Sequence, residues 1–436
     1  MGTHERHVKA TSKRRSRGGS VNADRAPGEN SPRISPPSPS SHSPPRVAVL
    51  SFTPSASERS ENLAFALGQE VTAALGRLRR FEVIAGTSLN SAAATCVINE
   101  HQYRGISLDY LVDVTVSDID QDSRINVRLL EVRGNTRAVW SKALDVTSCG
   151  VRRMGELVAQ HVLATLDPGV ASGDGELKLP ERHGATGFLR RAVPLMASME
   201  RKKFQQAGQL IRTALEIDPD DAEAATLAVR WQFFNITLGY GPHSQPEFLK
   251  ARDLALRAVK LNPDNAEALG LYAHYCAFVE KKFDTALHYF DRSLRINPSL
   301  AFIWGLSGPT YCYIGEPRTA LQRLDRYREL APFDPYLCSF DLLYALAYLF
   351  NEDYERVAIV GRSVEAFPDF VNGYKPLVAA LGHLGRREEA KPYVDKLLSL
   401  EPDFTAEKFR EVYPIKKASD RKRYIEGLRL AGIPER

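Results

Sequence analysis

The chain has 436 residues, 43% of them hydrophobic and 25% charged, the make-up of an ordinary folded protein with room for two or three domains. Its five cysteines are odd in number and form no Cys-x-x-Cys pair, which argues against a disulfide framework or a cysteine-bound metal and suits a reducing cytoplasm. The net charge of +5 resides in residues 1–46, where nine Lys/Arg face three Asp/Glu; the remainder balances at 49 against 50, so contact with nucleic acid is expected only through the tail.

Residues 1–45 are rich in Ser and Pro and nearly devoid of large apolar side chains, so they cannot bury enough surface to offset the entropy of ordering and read as a disordered basic tail. No apolar leader of signal-peptide kind opens the chain. The longest apolar run, Phe340 to Phe350, is interrupted by Asp341 and falls short of the ~20 residues that a bilayer crossing requires, so no membrane span is expected.

From Arg46 the texture changes. Val47 to Phe52 reads as a buried strand, and Leu63, Leu67, Val71, Ala74, Leu75 and Leu78 keep helical spacing behind a Ser57 or Ser60 cap. Phe81 to Ala85 returns as a second strand at the distance a parallel β-α-β unit needs. A weaker helix is expected near 88–100, then three strands over 108–116, 124–132 and 136–146 with polar turns, and a closing helix from Val151 to Leu166. The order β-α-β-α-β-β-β-α describes a small α/β layer domain over residues 46–168. Through Arg46 to Phe52, Ala74 to Leu78 running into Phe81 to Ala85, Asp109 to Val112, and Arg137 to Trp140, this segment resembles the TolB amino-terminal-like domain of bacterial regulators. That resemblance implies a docking or self-association module placed ahead of helical repeats.

Residues 169–186 are glycine-rich and read as a linker. Beyond them the chain repeats itself. Prolines at 219, 263, 298, 332, 368 and 402 recur at spacings of 44, 35, 34, 36 and 34. Small residues stand twelve positions ahead of most of them, at Ala207, Ala251, Ala286, Ala320 and Ala390. With Trp304, Gly308, Tyr311 and Tyr327 in phase, this region resembles the tetratricopeptide family, and about six helix pairs are expected over 187–404, followed by capping helices over 405–436. Gly308 and the alanines should admit close helix approach, with Trp304 and Tyr311 filling the space beside them. The ~10 extra residues around Leu238 to Gln245 are expected to form a surface loop. Pro194, Pro309 and Pro376 fall inside first helices, where each costs ~3 kcal/mol unless the helix tolerates a bend.

The whole therefore reads as an α+β multidomain chain: tail, α/β domain, then an all-α solenoid. The family resemblance implies that first helices line the concave surface, offering Leu271, Tyr275, Phe278, Phe302, Tyr313, Leu342, Leu346 and Leu349 as an apolar stripe for a protein segment. Asn372 and Lys375 are the only residues reminiscent of the family's carboxylate-holding cluster, so chaperone tails are disfavoured. No phosphate-cradling loop or nucleophile elbow occurs, and no catalytic residue or cofactor is expected. His274 and His288 could meet across a helix pair, yet lack further metal ligands; packing is the better reading. The expected function is a non-catalytic cytoplasmic adaptor. The alternative is a transcriptional or cyclic-nucleotide signalling protein whose output domain is encoded separately, since the 46-residue tail holds neither a cyclase nor a winged helix.

Overall fold

The computed structural model describes residues 44–52, 58–84, 108–119, 122–132, 137–145, 151–166, 185–197, 200–331 and 337–436. The tail, the expected helix near 88–100 and most of the expected linker lie outside the described residues.

Alternating Val47 and Val49 bury one face of β1 (Arg46–Phe52) and Ala48 and Leu50 the other, so both sides of this strand must be covered. It lies second in a five-stranded sheet of order β2-β1-β3-β4-β5, between β2 and β3. Strand β1 runs parallel to β2 (Glu82–Ile84) and β3 (Tyr110–Ile119), while β4 (Asp122–Glu131) and β5 (Arg137–Asp145) continue as an antiparallel meander. Helix α1 (Glu58–Leu78) makes the crossover between the parallel strands, as the spacing predicts; it starts ahead of Ser60, which is buried within its first turn. With α2 (Val151–Leu166) it covers one face of the sheet through Leu67, Val71, Leu75, Met154, Val158 and Val162.

Six helix pairs follow: α3 (Thr186–Ala197) with α4 (Arg201–Ile217), α5 (Ala222–Thr237) with α6 (Gln245–Leu261), α7 (Ala266–Phe278) with α8 (Phe283–Ile296), α9 (Ala301–Ile314) with α10 (Pro317–Leu330), α11 (Leu337–Phe350) with α12 (Tyr354–Val360), and α13 (Val371–His383) with α14 (Arg387–Leu400). A 3-10 turn, Gly361–Ala366, extends α12. Each second element stops two residues ahead of a proline of the repeat, because the residue before proline is driven out of the helical region. Ala207, Ala251, Ala286, Ala320 and Ala390 have no exposed surface, and a Cβ on Gly308 would stand 3.2 Å from Leu324, so at these positions side-chain bulk would collide with the paired helix. Trp304 donates its indole N–H to the Pro298 carbonyl at 2.8 Å and lies with Tyr311 beneath the Arg323 guanidinium, 4.8 Å from each ring centre. Pro194, Pro309 and Pro376 do sit inside helices.

The α/β unit rests on the repeats along its β2 edge. Glu82 accepts from Arg46 at 2.8 Å and from Arg326 of α10 at 2.9 Å, and the Val83 amide donates to the Ser299 hydroxyl at 3.0 Å. This covers a sheet edge that would otherwise display unpaired backbone groups.

Two expectations change. The loop 238–244 is only half exposed: Gly239 adopts a φ of +70° and lies so close to the Asp369 carbonyl that a Cβ would meet it at 2.4 Å, fixing the loop against the start of α13. The C-terminal helices, α15 (Ala406–Val412) and α16 (Ala418–Ala431), do more than end the stack. Helix α16 crosses α13 backbone to backbone, where a Cβ on Gly427 would stand 2.4 Å from the Ala379 carbonyl and one on Gly382 would stand 2.0 Å from the Gly427 carbonyl. The basic residues expected to face water here divide: Lys416, Lys417 and Lys422 are exposed, whereas Arg421 and Arg423 are half-buried.

Candidate functional site

Helix α9 contains no charged residue, and α11 contains only Asp341. A helix apolar all round must be covered on every side. Second helices cover one side of these two; the other side faces the inner surface of the array, where the chain's own C-terminal residues lie. Between α15 and α16 the chain is extended. Tyr413, Pro414 and Ile415 are buried there, the Lys416 amide donates to the Tyr313 carbonyl at 2.8 Å, and Lys281 donates to the Glu411 carbonyl at 2.8 Å.

This placement corrects the picture of an open stripe. Leu271, Tyr275, Tyr313, Leu342, Leu346 and Leu349 are at most 6% exposed, and only Phe278 and Phe302 keep partial exposure. Tyr275, Phe278, Tyr313, Leu342 and Leu346 converge on one cavity of about 100 Å³, together with Phe233, Phe234, Leu306, Pro309, Phe340, Leu343, Pro376, Tyr413 and Tyr424. Five successive first helices, α5, α7, α9, α11 and α13, thus contribute to a single apolar site. Phe302 stands beside it, its ring centre 5.7 Å from Phe233 and 5.9 Å from Phe340. Leu271 is not on the cavity wall, and Leu349 borders a separate small cleft with Phe350, Asp420 and Arg423.

One end of the site is polar. Asn372 lines the cavity, accepts from Lys375 at 3.2 Å and from the Tyr413 hydroxyl at 2.9 Å, and its amide nitrogen lies 3.1 Å from His243 Nε2 of the 238–244 loop. Lys375, 2% exposed, forms an ion pair with Glu401 at 2.9 Å and lies over the rings of Phe404 and Tyr413. Burial, opposed by Glu401, lowers the Lys375 pKa; burial and then the Lys375 charge push His243 down to about 4. Asn372 and Lys375 are therefore engaged internally, so a free carboxylate would have to displace Glu401. Sequence reasoning named these two but not His243, Glu401 or Tyr413, whose approach depends on the inserted loop and the returning C-terminus.

His274 and His288 occupy different places. His274 lies on the cavity wall, stacked on Phe278 with ring centres 5.9 Å apart and pushed down to about 4 by burial, while His288 lines an outer cleft with Arg295, Trp304 and Arg323. Among the described residues no three His, Cys, Asp or Glu side chains gather as metal ligands, and no helix is long and apolar enough to cross a membrane. Burial raises the thiol pKa of Cys276 to about 11 and that of Cys312 higher still, which keeps both protonated at neutral pH. The arrangement offers apolar contact and a few hydrogen-bonding groups, the chemistry of binding.

No protein-family model matches the chain, and no curated protein is significantly similar to it. Solved structures with similar coordinates include a tetratricopeptide repeat protein of Parabacteroides merdae (14% identity, 57% of this chain and 98% of that one, TM-score 0.31). A thermophilic tetratricopeptide protein of Thermus thermophilus aligns at 19% identity over 45% of this chain and 99% of its own, with a TM-score of 0.34. Human IFIT1, solved as a dimer with m7Gppp-AAAA, aligns at 16% identity over 65% of this chain and 66% of its own, with a TM-score of 0.40. In its architecture the chain is a small mixed α/β unit followed by a helical-repeat region of the tetratricopeptide type.

Proposed function

We propose that this chain is a non-catalytic, cytoplasmic protein-binding adaptor whose inner repeat face holds a segment of a partner protein. One observation carries the reading: half-exposed Phe233, Phe278 and Leu343 line an apolar cavity fed by five successive repeats, with half-exposed Phe302 packed beside them. Aromatic side chains next to a desolvated recess are the usual source of binding energy, and helices that fix their backbone reduce the cost of ordering them on association. The C-terminal segment narrows this face, so a partner contacts the remaining aromatic rim and not the whole stripe. The α/β unit, in keeping with its resemblance to TolB amino-terminal-like domains of bacterial regulators, serves as a second docking or self-association module.

The test is affinity capture with the full chain as bait, comparing wild type with the Phe278→Ala, Phe302→Ala double variant. These rings are partly exposed, unlike Tyr275, so their removal perturbs the core least. A partner retained by wild type and lost from the variant, with the variant still folded by circular dichroism, is the expected outcome. Equal retention by both would remove the inner face as the binding surface.

A further inference from the structure

Tyr275, Tyr424 and His274 line the cavity, and each carries a buried polar atom with no hydrogen-bond partner among the described residues: the two tyrosine hydroxyls and Nδ1 of His274. Tyr275 and Tyr424 are each 2% exposed, so these hydroxyls are shielded from bulk water. Leaving a buried donor or acceptor unmade is costly, and it is rare in native interiors unless a water or a ligand supplies the missing contact. The space beside them, about 100 Å³, approaches the ~150 Å³ at which an apolar protein cavity takes up a benzene ring. Its wall is otherwise aromatic and aliphatic, with Phe233, Phe278 and Phe340 offering ring edges and faces.

We infer that this cavity is a binding site for a phenol-type group: one aromatic ring bearing a hydrogen-bonding substituent, its ring among Phe233, Phe278 and Phe340 and its polar atom met by Tyr275, Tyr424 or His274. A wholly apolar ring would fill the space and leave the three polar atoms unmade. A larger polar ligand would have to displace the Asn372 and Lys375 contacts. Burial keeps His274 neutral at pH 7, so Nδ1 is available to accept or donate a hydrogen bond without bringing charge into the recess. The inference rests on the adaptor reading only in its source. On that reading the phenol is a tyrosine side chain of the partner segment, and the same chemistry could come from a free small phenol.

The experiment is titration of the full chain with phenol and with benzene, followed by calorimetry and ligand-observed NMR, repeated on Tyr275→Phe and on the Tyr275→Phe, Tyr424→Phe double variant. These substitutions keep the rings and remove only the hydroxyls. The expected result is a phenol preference of about three- to tenfold in wild type, the worth of one net hydrogen bond, falling towards one in the double variant. Absence of binding by either probe, equal binding of the two, or a preference unchanged in the double variant would overturn the inference. N-acetyl-tyrosine amide then separates the sources. Displacement of phenol by it supports a polypeptide tyrosine, whereas phenol binding without such displacement upholds the site as one for a free phenol and takes this anchor away from the adaptor reading.

Discussion

At the scale of single residues, the polar end of the inner face governs the response to pH. His243 is held down to about 4 by burial and by the Lys375 charge, whereas in the unfolded chain it titrates near 6.5. A depressed folded pKa means that the stabilising contribution is complete above pH 6.5 and is lost as pH falls through 4, since the unfolded chain takes up the proton first. Glu70 of α1 acts in the opposite direction. Burial and the nearby Glu223 of α5 push it up to about 7, so its contribution is present below pH 4.5 and is lost as pH rises through 7. Comparison of variants isolates the histidine. On unfolding near pH 5.3 the His243→Gln variant should take up about one proton fewer than wild type, a slope change of about 1.4 kcal/mol per pH unit, measured by urea denaturation across pH 4.5–7.5. An unchanged slope would mean that the 238–244 loop does not bury His243 against Asn372.

Among the elements, the α13–α16 crossing is the least adjustable contact. Gly382 and Gly427 bring two backbones together where even a methyl group would collide with a carbonyl. Gly427→Ala should cost about 1–3 kcal/mol through overpacking and free the C-terminal helices for proteolysis after Lys408 and Arg410, read by denaturation midpoint and limited trypsin digestion. A variant as stable and as resistant as wild type would refute the crossing. Most elements were legible in the sequence: proline periodicity gives the end of every second helix, and α2 has the predicted bounds of Val151 and Leu166. The site was legible only in part. Tyr275, Phe278, Tyr313, Leu342 and Leu346 follow from helical register, but Tyr413 and Tyr424 reach the cavity from the returning C-terminus, and Tyr413 and His243 meet the lining residue Asn372 from 41 and 129 residues away in sequence, which local pattern does not encode. One signal was available. The uncharged α9 demands cover on both sides, and an open concave stripe would not have provided it.

Across the whole molecule, the described α/β unit and the repeats share an interface at Glu82, Arg326 and Ser299, and the repeats enclose an apolar recess between their first helices and the returning C-terminus. The central claim is that a protein partner engages this inner face. Photo-crosslinking tests it most directly, with benzoylphenylalanine placed at Phe278, at Phe302 or, on the outer side of α12, at Ile359, which is 72% exposed. The account predicts adducts with the same captured partner from positions 278 and 302 and none from 359. Adducts from 359 alone would contradict it.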